Sequence, residues 1–384
     1  MSVDVVREMC AKLAFITDLD LQPSGGGSYA VSWHAYQQLK AHFDEIEPLV
    51  YKPSVPWGEQ LWSRLQRKIL RQPGRFAYFS PNTLNRNAEQ VRQLDANCLD
   101  AVFFRSAARW SRCRPQRPYF VYLDVVFHTF FHNGLSINDF NQKDLRRIWA
   151  EEAQFLEGAE TVFFESQWGL DRAREAYQLS GEHYVALGRG GVLPPPPSDV
   201  WDGHSLNLVT IAMNFEQKGG DILLNAFEQL VTQYPELHWT IVGGPPPNDR
   251  WRAFPQIEYV GKLSPDVPEE LARFESIYAN AFLIIHPTRE DTNPLVLTEA
   301  ATFGCPAISV RKFGIPELVM DGETGLLLDP PITPKDLVQK ISYLIEQPEI
   351  YRAMRQQARD TAMQKSTWKV IGAQMADRIK MCLA

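Results

Sequence analysis

The sequence predicts an α/β protein with two parallel-sheet domains facing each other across a cleft, and three observations carry that expectation. Its 384 residues correspond to about two domains at roughly 150 residues each. Short apolar runs alternate with amphipathic stretches, as strands alternate with crossover helices in a parallel sheet. The alternation breaks once, at GRGGVLPPPPSDVWDG (188–203), and then restarts. Four consecutive prolines, Pro194 to Pro197, cannot continue a helix and favour an extended connector. The expected boundaries are an N-terminal domain over 1–190, a proline-rich linker over 191–204, a C-terminal domain over 205–365, and a C-terminal helix over 366–384 that crosses back to the first domain.

In chain order, LAFIT (13–17) reads as the first strand, followed by a loop with Gly25, Gly26 and Gly27. SYAVSWHAYQQLKAHF has helical spacing. QLWSRLQRKILRQ reads as a helix, with Leu61, Trp62, Leu65 and Ile69 in one stripe and Arg64, Lys68 and Arg71 displaced from it. RFAYFS, DAVFFR, YFVYLDVVF and TVFFES are further strand-like runs. After the linker, NLVTIA, HWTIVGG, IEYVG, FLIIHPT and CPAISV read as strands. GDILLNAFEQLVTQY, PEELARFESIYANA and PLVLTEAATFG read as helices between them, and the segment from 334 onward is mostly helical.

Hydrophobic residues make up 45% and charged residues 22%, the balance of a soluble globular chain rather than a disordered one. A net charge of −7 argues against a dedicated nucleic-acid binder. No apolar run approaches the ~18 residues that span a bilayer. Asp4, Arg7, Glu8 and Lys12 precede a short apolar run, which does not read as a signal peptide. The five cysteines are scattered and form no C-x-x-C, so free thiols in a reducing, bacterial-type cytoplasm are expected. One block departs from the average. Residues 60–118 hold twelve basic and three acidic groups, a local +9, which leaves −16 on the rest of the chain. A basic amphipathic helix in this block suits an anionic membrane surface, which would place the protein peripherally at the inner face of the membrane. The alternative is a surface helix that packs its apolar stripe on its own domain.

The most informative segment is HPTREDTNPLVLTEAATFGCPAISV (286–310). Asn293 is expected to cap the following helix, with Pro294 at the first helical position. The amides of Leu295 and Val296 come next and have no intrahelical partners, which suits a phosphate. Glu299 lies about one and a half turns further on, and Asp291 precedes the helix in a loop. Capped helices are common, and taken alone this one serves structure as well as it serves a ligand.

This segment resembles the E-x7-E signature of family 4 glycosyltransferases, which have the GT-B fold of two Rossmann-like domains facing across a cleft. It reads Asp291, seven residues, Glu299, then Ala300, Ala301, Gly304 and Pro306. Asp at the first position resembles a subgroup with D-x-x-P. Gly314, Glu317, Val319, Gly322 and Gly325 follow the family's next pattern. A second match is NLVTIAMNFEQKGGDILLNAFEQL (207–230), where Lys218 falls on the family's donor-phosphate lysine and Gly219 and Gly220 would let backbone approach the ligand. Met213 stands where the family has an arginine, and Arg189 is a candidate substitute. By resemblance Gly243 and Gly244 line the cleft, and Gly261, Lys262 and Leu263 face the nucleobase.

In the first half, Gly25, Gly26 and Gly27 resemble the family's glycine-rich first loop, although no G-x-G-x-x-G is present. Asp124 and His128 fall where the family places a donor-sugar contact. His128 and His132 also stand four apart, a spacing open to a metal on one helix face or to a plain structural pair. The resemblance implies a retaining transferase that moves a hexose, UDP-glucose being the first guess for the donor, to a saccharide or lipid-linked saccharide. Polysaccharide biosynthesis is the expected setting, and no metal or other cofactor is expected. Asp291, Lys218, His128 and Asp124 would act on the reacting groups, with Glu299 on the ribose. The alternatives are a nucleotide-sugar-binding protein with little transferase activity and a GT-B sugar-nucleotide epimerase.

Overall fold

The computed structural model describes residues 11–22, 27–52, 54–94, 99–131 and 136–384. The chain divides into two compact units. The first contains the opening strand, residues 28–188 and residues 371–384, and the second contains residues 189–370.

The first unit runs β1 (Lys12–Thr17), α1 (Ser28–His42), β2 (Glu45–Val50), α2 (Trp57–Lys68), α3 (Pro81–Leu94), β3 (Ala101–Arg105), β4 (Tyr119–Leu123), α4 (Phe127–Phe130), α5 (Gln142–Glu157), β5 (Thr161–Phe164), α6 (Gln167–Tyr177) and β6 (Tyr184–Ala186). All strands are parallel, in the order β2-β1-β3-β4-β5-β6. Every residue of β3, β4 and β5 is buried, which is why these strands read as unbroken apolar runs. Phe104 meets Phe155 of α5 edge-on, with ring centroids 5.1 Å apart, and fixes helix on sheet. RFAYFS is not a strand. It forms a short 3-10 turn, and Phe76 and Phe79 pack with Phe127 at 4.8 Å each, so its aromatics serve a side cluster of the core.

Helix α2 forms where the spacing predicts it but does not pack its apolar stripe on its own domain. Ser63 is its buried residue, while Leu61, Trp62 and Ile69 are exposed.

The second unit runs β7 (Asn207–Ala212), α7 (Gly220–Gln233), β8 (His238–Gly243), β9 (Ile257–Gly261), α8 (Pro268–Ala279), β10 (Leu283–His286), α9 (Leu295–Thr302), β11 (Ala307–Val310), α10 (Ile315–Leu318), β12 (Gly325–Leu328), α11 (Pro334–Glu346) and α12 (Pro348–Lys365). The last helix, α13 (Trp368–Leu383), passes from the second unit's residues into the first's. The sheet is again parallel, in the order β12-β11-β10-β7-β8-β9. The proline-rich segment is extended and tied down within its unit. Arg355, buried on α12, grips both Asp199 carboxylate oxygens at 2.6 and 2.7 Å, and Trp368 Nε1 donates to the Gly191 carbonyl at 2.8 Å. Among the described residues no helix is long and apolar enough to cross a membrane.

Candidate active site

In the second sheet β7 lies beside β10, at the point where the winding reverses. In open α/β sheets ligands bind outside the carboxyl ends of the strands at such a point. The loops after these two strands carry Lys218 and Asp291. Lys218 Nζ lies 2.6 Å from Asp291 Oδ2 and donates to the Glu290 carbonyl oxygen at 2.9 Å. His286, the last residue of β10, is buried with its Nε2 3.4 Å from the same Asp291 oxygen. Gln217 Nε2 donates to Glu290 Oε2 at 3.0 Å, and the Arg289 amide donates to the Gln217 carbonyl at 2.9 Å, so the two loops are clipped along their length.

Burial works against the charge on Asp291, but the bond to His286 and the Lys218 ammonium outweigh it and hold the carboxyl at about 2. Burial pushes His286 down, against the pull of Asp291, so its imidazole is neutral at pH 7. The cluster thus holds one anion, one cation and one neutral ring. The first two already satisfy each other.

Helix α9 opens one residue later than expected. Pro294 occupies the N-cap position, with φ −72° and ψ 119°, and no side chain caps the helix. Neither the N-cap nor the first helical N–H has an intrahelical acceptor, so proline fits either place, and the residue before it is driven away from helical angles. Asn293 is buried one position further out than a cap. The amides of Leu295 and Val296 open the helix as the sequence suggested.

Glu299 is buried on α9. Its Oε1 accepts from the Val192 amide and its Oε2 from the Tyr278 hydroxyl, both at 2.8 Å. Burial raises its pKa, opposed by these two bonds and by the charge of Arg189, which is itself buried close by. The Leu193 amide also favours the charged form, so three donors already face the four lone pairs of this carboxylate.

The glycines divide into two kinds. Gly243, at φ +114°, and Gly244 leave no room for a Cβ, which would stand 2.2 Å from the Ala212 carbonyl oxygen and 2.1 Å from that of Met213. They bring the end of β8 hard against the end of β7, where Met213 is exposed. Gly261 ends β9 at φ +82° beside open space, Lys262 is exposed, and Leu263 packs half-buried on an apolar cluster. The reason given by sequence for Gly219 and Gly220 needs correction. A Cβ on Gly219 would meet the Pro287 carbonyl oxygen at 2.3 Å, and one on Gly220 the Phe215 ring at 2.4 Å. The close approach they permit is to the protein itself.

In the N-terminal half of the chain, Gly27 has φ +62°, while Gly25 and Gly26 lie outside the described residues. Asp124 follows β4 directly. His128 sits on α4, its ring edge-on to Trp149 at 4.8 Å and its amide donating to the Tyr177 hydroxyl at 3.2 Å. Helix α4 ends at Phe130, and His132 lies outside the described residues.

Sequence reasoning missed the group beneath α4. Glu152 is fully buried, and its Oε2 accepts from the Phe127 amide at 2.9 Å and from the Tyr177 hydroxyl at 2.5 Å. Burial lifts it to about 7, against the pull of those bonds. It also missed His286 and Tyr278. His286 left a trace, a polar residue closing an apolar run, but Glu152 and Tyr278 lie inside helices and left none.

A profile for glycosyl transferases group 1 matches residues 201–361, the segment that holds Lys218, Asp291 and Glu299. The D-inositol 3-phosphate glycosyltransferase of Corynebacterium kroppenstedtii is 25% identical over 269 residues, 64% of this chain and 58% of that protein, so the match spans under two thirds of that relative's length. The GDP-mannose-dependent alpha-(1-6)-phosphatidylinositol monomannoside mannosyltransferase of Mycolicibacterium smegmatis is 25% identical over 86% of this chain and 89% of its own. Among solved structures, Anabaena HepE in complex with UDP superposes with a TM-score of 0.62 at 18% identity, covering 96% of this chain and all of that one, a likeness of fold. The signature segment, the two parallel sheets and these relatives agree: residues 201–361 are similar to the glycosyl transferases group 1, and the chain has the GT-B fold.

Proposed function

We propose that this chain transfers a hexose, with retention, from a nucleotide diphosphate sugar to a saccharide or lipid-linked saccharide. The observation that carries the reading is the Lys218–Asp291 pair at the carboxyl ends of β7 and β10, two residues 73 positions apart in sequence that the fold brings to 2.6 Å. A diphosphate leaving group needs positive charge where its own negative charge develops. Lys218 would turn from Asp291 to the diphosphate, joined by the amides of Leu295 and Val296 at the start of α9. Asp291, released, would accept from donor-sugar hydroxyls, while His286 holds its orientation. The bond between the anomeric carbon and the bridging phosphate oxygen breaks as the acceptor oxygen bonds to the same face of the sugar, and the acceptor proton passes to the leaving phosphate. No divalent metal enters this scheme.

Glu299 would accept from a ribose hydroxyl through its remaining lone pair, with the charge of Arg189 favouring its anionic form. Gly261, Lys262 and Leu263 would face the base. Asp124 and His128 are the first unit's candidates for a sugar contact. UDP-glucose is the first donor to try. GDP-mannose is the second, because the M. smegmatis relative carries it in its name. A lipid-linked acceptor would be reached by peripheral contact with an anionic membrane through part of 60–118. Met213, exposed where an arginine is expected, favours one rival, a nucleotide-sugar binder with weak transfer.

A thermal-shift screen of nucleotide sugars, followed by transfer assays, tests the reading. A donor at 100 times its Kd stabilises by about 2.7 kcal/mol. Glu299→Ala should weaken nucleotide binding by roughly 1.5–3 kcal/mol. A folded Glu299→Ala protein with unchanged nucleotide affinity would remove the ribose assignment. Binding without transfer to any acceptor would favour the rival.

A further inference from the structure

At about 100° per residue, Trp57, Leu61, Leu65, Ile69 and Trp62 fall within roughly 140° of arc on α2, and Glu59, Ser63, Gln66 and Arg67 take the opposite side. A surface helix of a globular domain turns its apolar arc inward, and α2 does the reverse. The Ser63 hydroxyl donates to the Arg75 carbonyl at 2.5 Å, and a Cβ on Gly74 would stand 2.7 Å from Ser63 Oγ, so this side is pressed onto the domain. Glu59 accepts from the Asn82 side chain at 3.0 Å, and the Arg67 guanidinium lies 5.0 Å from the centre of the Phe140 ring. The polar side is the anchored one. Trp57 is 78% exposed, Ile69 70% and Trp62 54%, and neither they nor Leu61 belong to the unit's apolar clusters.

Charge indicates what covers this face. Within 60–118, Arg92, Arg105, Arg109 and Arg112 are matched by Glu89, Glu165, Asp18 and Glu151. Arg64, Lys68, Arg71 and Arg75, on or just after α2, make no ion pair among the described residues, and all four are exposed. An exposed aromatic and aliphatic arc bordered by unmatched cations is complementary to a surface that is anionic outside and apolar beneath. We propose that the outer face of α2 docks on an anionic lipid bilayer. Trp57, Leu61, Trp62 and Ile69 enter the boundary between headgroups and acyl chains, and the four cations meet lipid phosphates. The expected membrane contact of 60–118 thereby narrows to α2 and the turn after it. The proposal rests on the reading above only in that a lipid-linked acceptor gives the docking a use.

Co-sedimentation with vesicles of equimolar phosphatidylglycerol and phosphatidylcholine, against phosphatidylcholine alone, tests it. Binding is expected only to the anionic vesicles, and it should fade as salt rises. Arg64→Gln with Lys68→Gln should lower the partition coefficient about 25-fold, from roughly 1 kcal/mol for each charge near the surface. Trp57→Ser with Trp62→Ser should abolish binding and leave the thermal midpoint unchanged, because both side chains are exposed. Absence of binding to either vesicle at low salt, or binding undiminished by both double variants, overturns the proposal. So does a dimer in sedimentation equilibrium that the tryptophan variant dissociates, which would assign the face to a second copy. The donor-induced thermal shift, read on the same preparations, separates the two ideas. Vesicle binding absent with the shift intact overturns the docking face alone, and the reverse overturns the transferase reading alone.

Discussion

In the second sheet three strands lie on either side of the β7/β10 boundary, whereas in the first the boundary between β1 and β3 has only β1 and β2 on one side. The evenly divided sheet carries its charges in matched form at the carboxyl ends of its strands. Lys218 faces Asp291, and Arg289 grips Asp221 at 2.7 and 2.8 Å. The first unit places a buried proton-binding carboxyl, Glu152, under the short helix that holds His128, and leaves its spare cations on the outside of α2. The two carboxyls are displaced in opposite directions, Asp291 down to about 2 and Glu152 up to about 7. Desolvation opposes the charge on both, so burial alone does not decide the sign. His286 and the Lys218 cation together lower Asp291, while neutral donors alone leave Glu152 raised.

The sharpest way to break this contrast is to remove the cation. Lys218→Ala should lower kcat/KM by about 100-fold or more, on the guide of ~3 kcal/mol for one preorganised electrostatic contact. It should also let Asp291 rise toward its ordinary value. Near-normal turnover would mean that Lys218 only props Asp291 and that another cation, Arg189 first, holds the phosphate.

The next test addresses Glu152. Its pKa in the fold is raised from an ordinary 4.5 to about 7, so the native state favours the protonated form. The stability this contributes is full below about 4.5 and is lost as pH rises through about 7, roughly 3 kcal/mol across that window. Glu152→Gln should erase that slope, whatever its offset, because the amide oxygen can still accept from Phe127 and Tyr177. Denaturant midpoints measured from pH 4.5 to 8 check this, and identical slopes in the two proteins would return Glu152 to an ordinary carboxyl. The smallest effect is expected at Met213. Met213→Arg should tighten donor binding about fivefold, roughly 1 kcal/mol as for an exposed ion pair. Unchanged affinity in a titration would place that position away from the diphosphate.

The fold was legible where strands are buried on both faces. DAVFFR, YFVYL and TVFF could be read as strands because every position is apolar or packed. The strands not read in advance, β2, β6 and β12, all lie at sheet edges. β2 alternates glutamates with apolar residues and contains Pro48, which an edge tolerates and a central strand does not. In the site, Asp291 and Glu299 were legible through the spacing of one segment, and Lys218 through that of a second. The bond partners of Glu299 were not, because Val192 and Tyr278 come from two other places in the chain and meet it only through the fold. The outward turn of α2 was hidden for a different reason. Periodicity locates an apolar arc, but only neighbours decide which way it faces.

One feature of the unit boundaries bears on synthesis. Residues 371–384 belong to the first unit. There Ile371, Met375 and Ile379 are buried, Gly372 packs so closely on α1 that a Cβ would stand 2.5 Å from Gln38, and the Lys380 ammonium lies 5.4 Å from the centre of the Phe43 ring. Domains generally fold as units, N-terminal first, as the chain leaves the ribosome. Here the unit begun first is completed last. Its hydrophobic core waits, unsealed, while some 180 intervening residues are translated. The second unit has all of its strands in hand before that seal arrives, and a nascent chain stalled just short of residue 371 would carry a finished second unit and an unfinished first one.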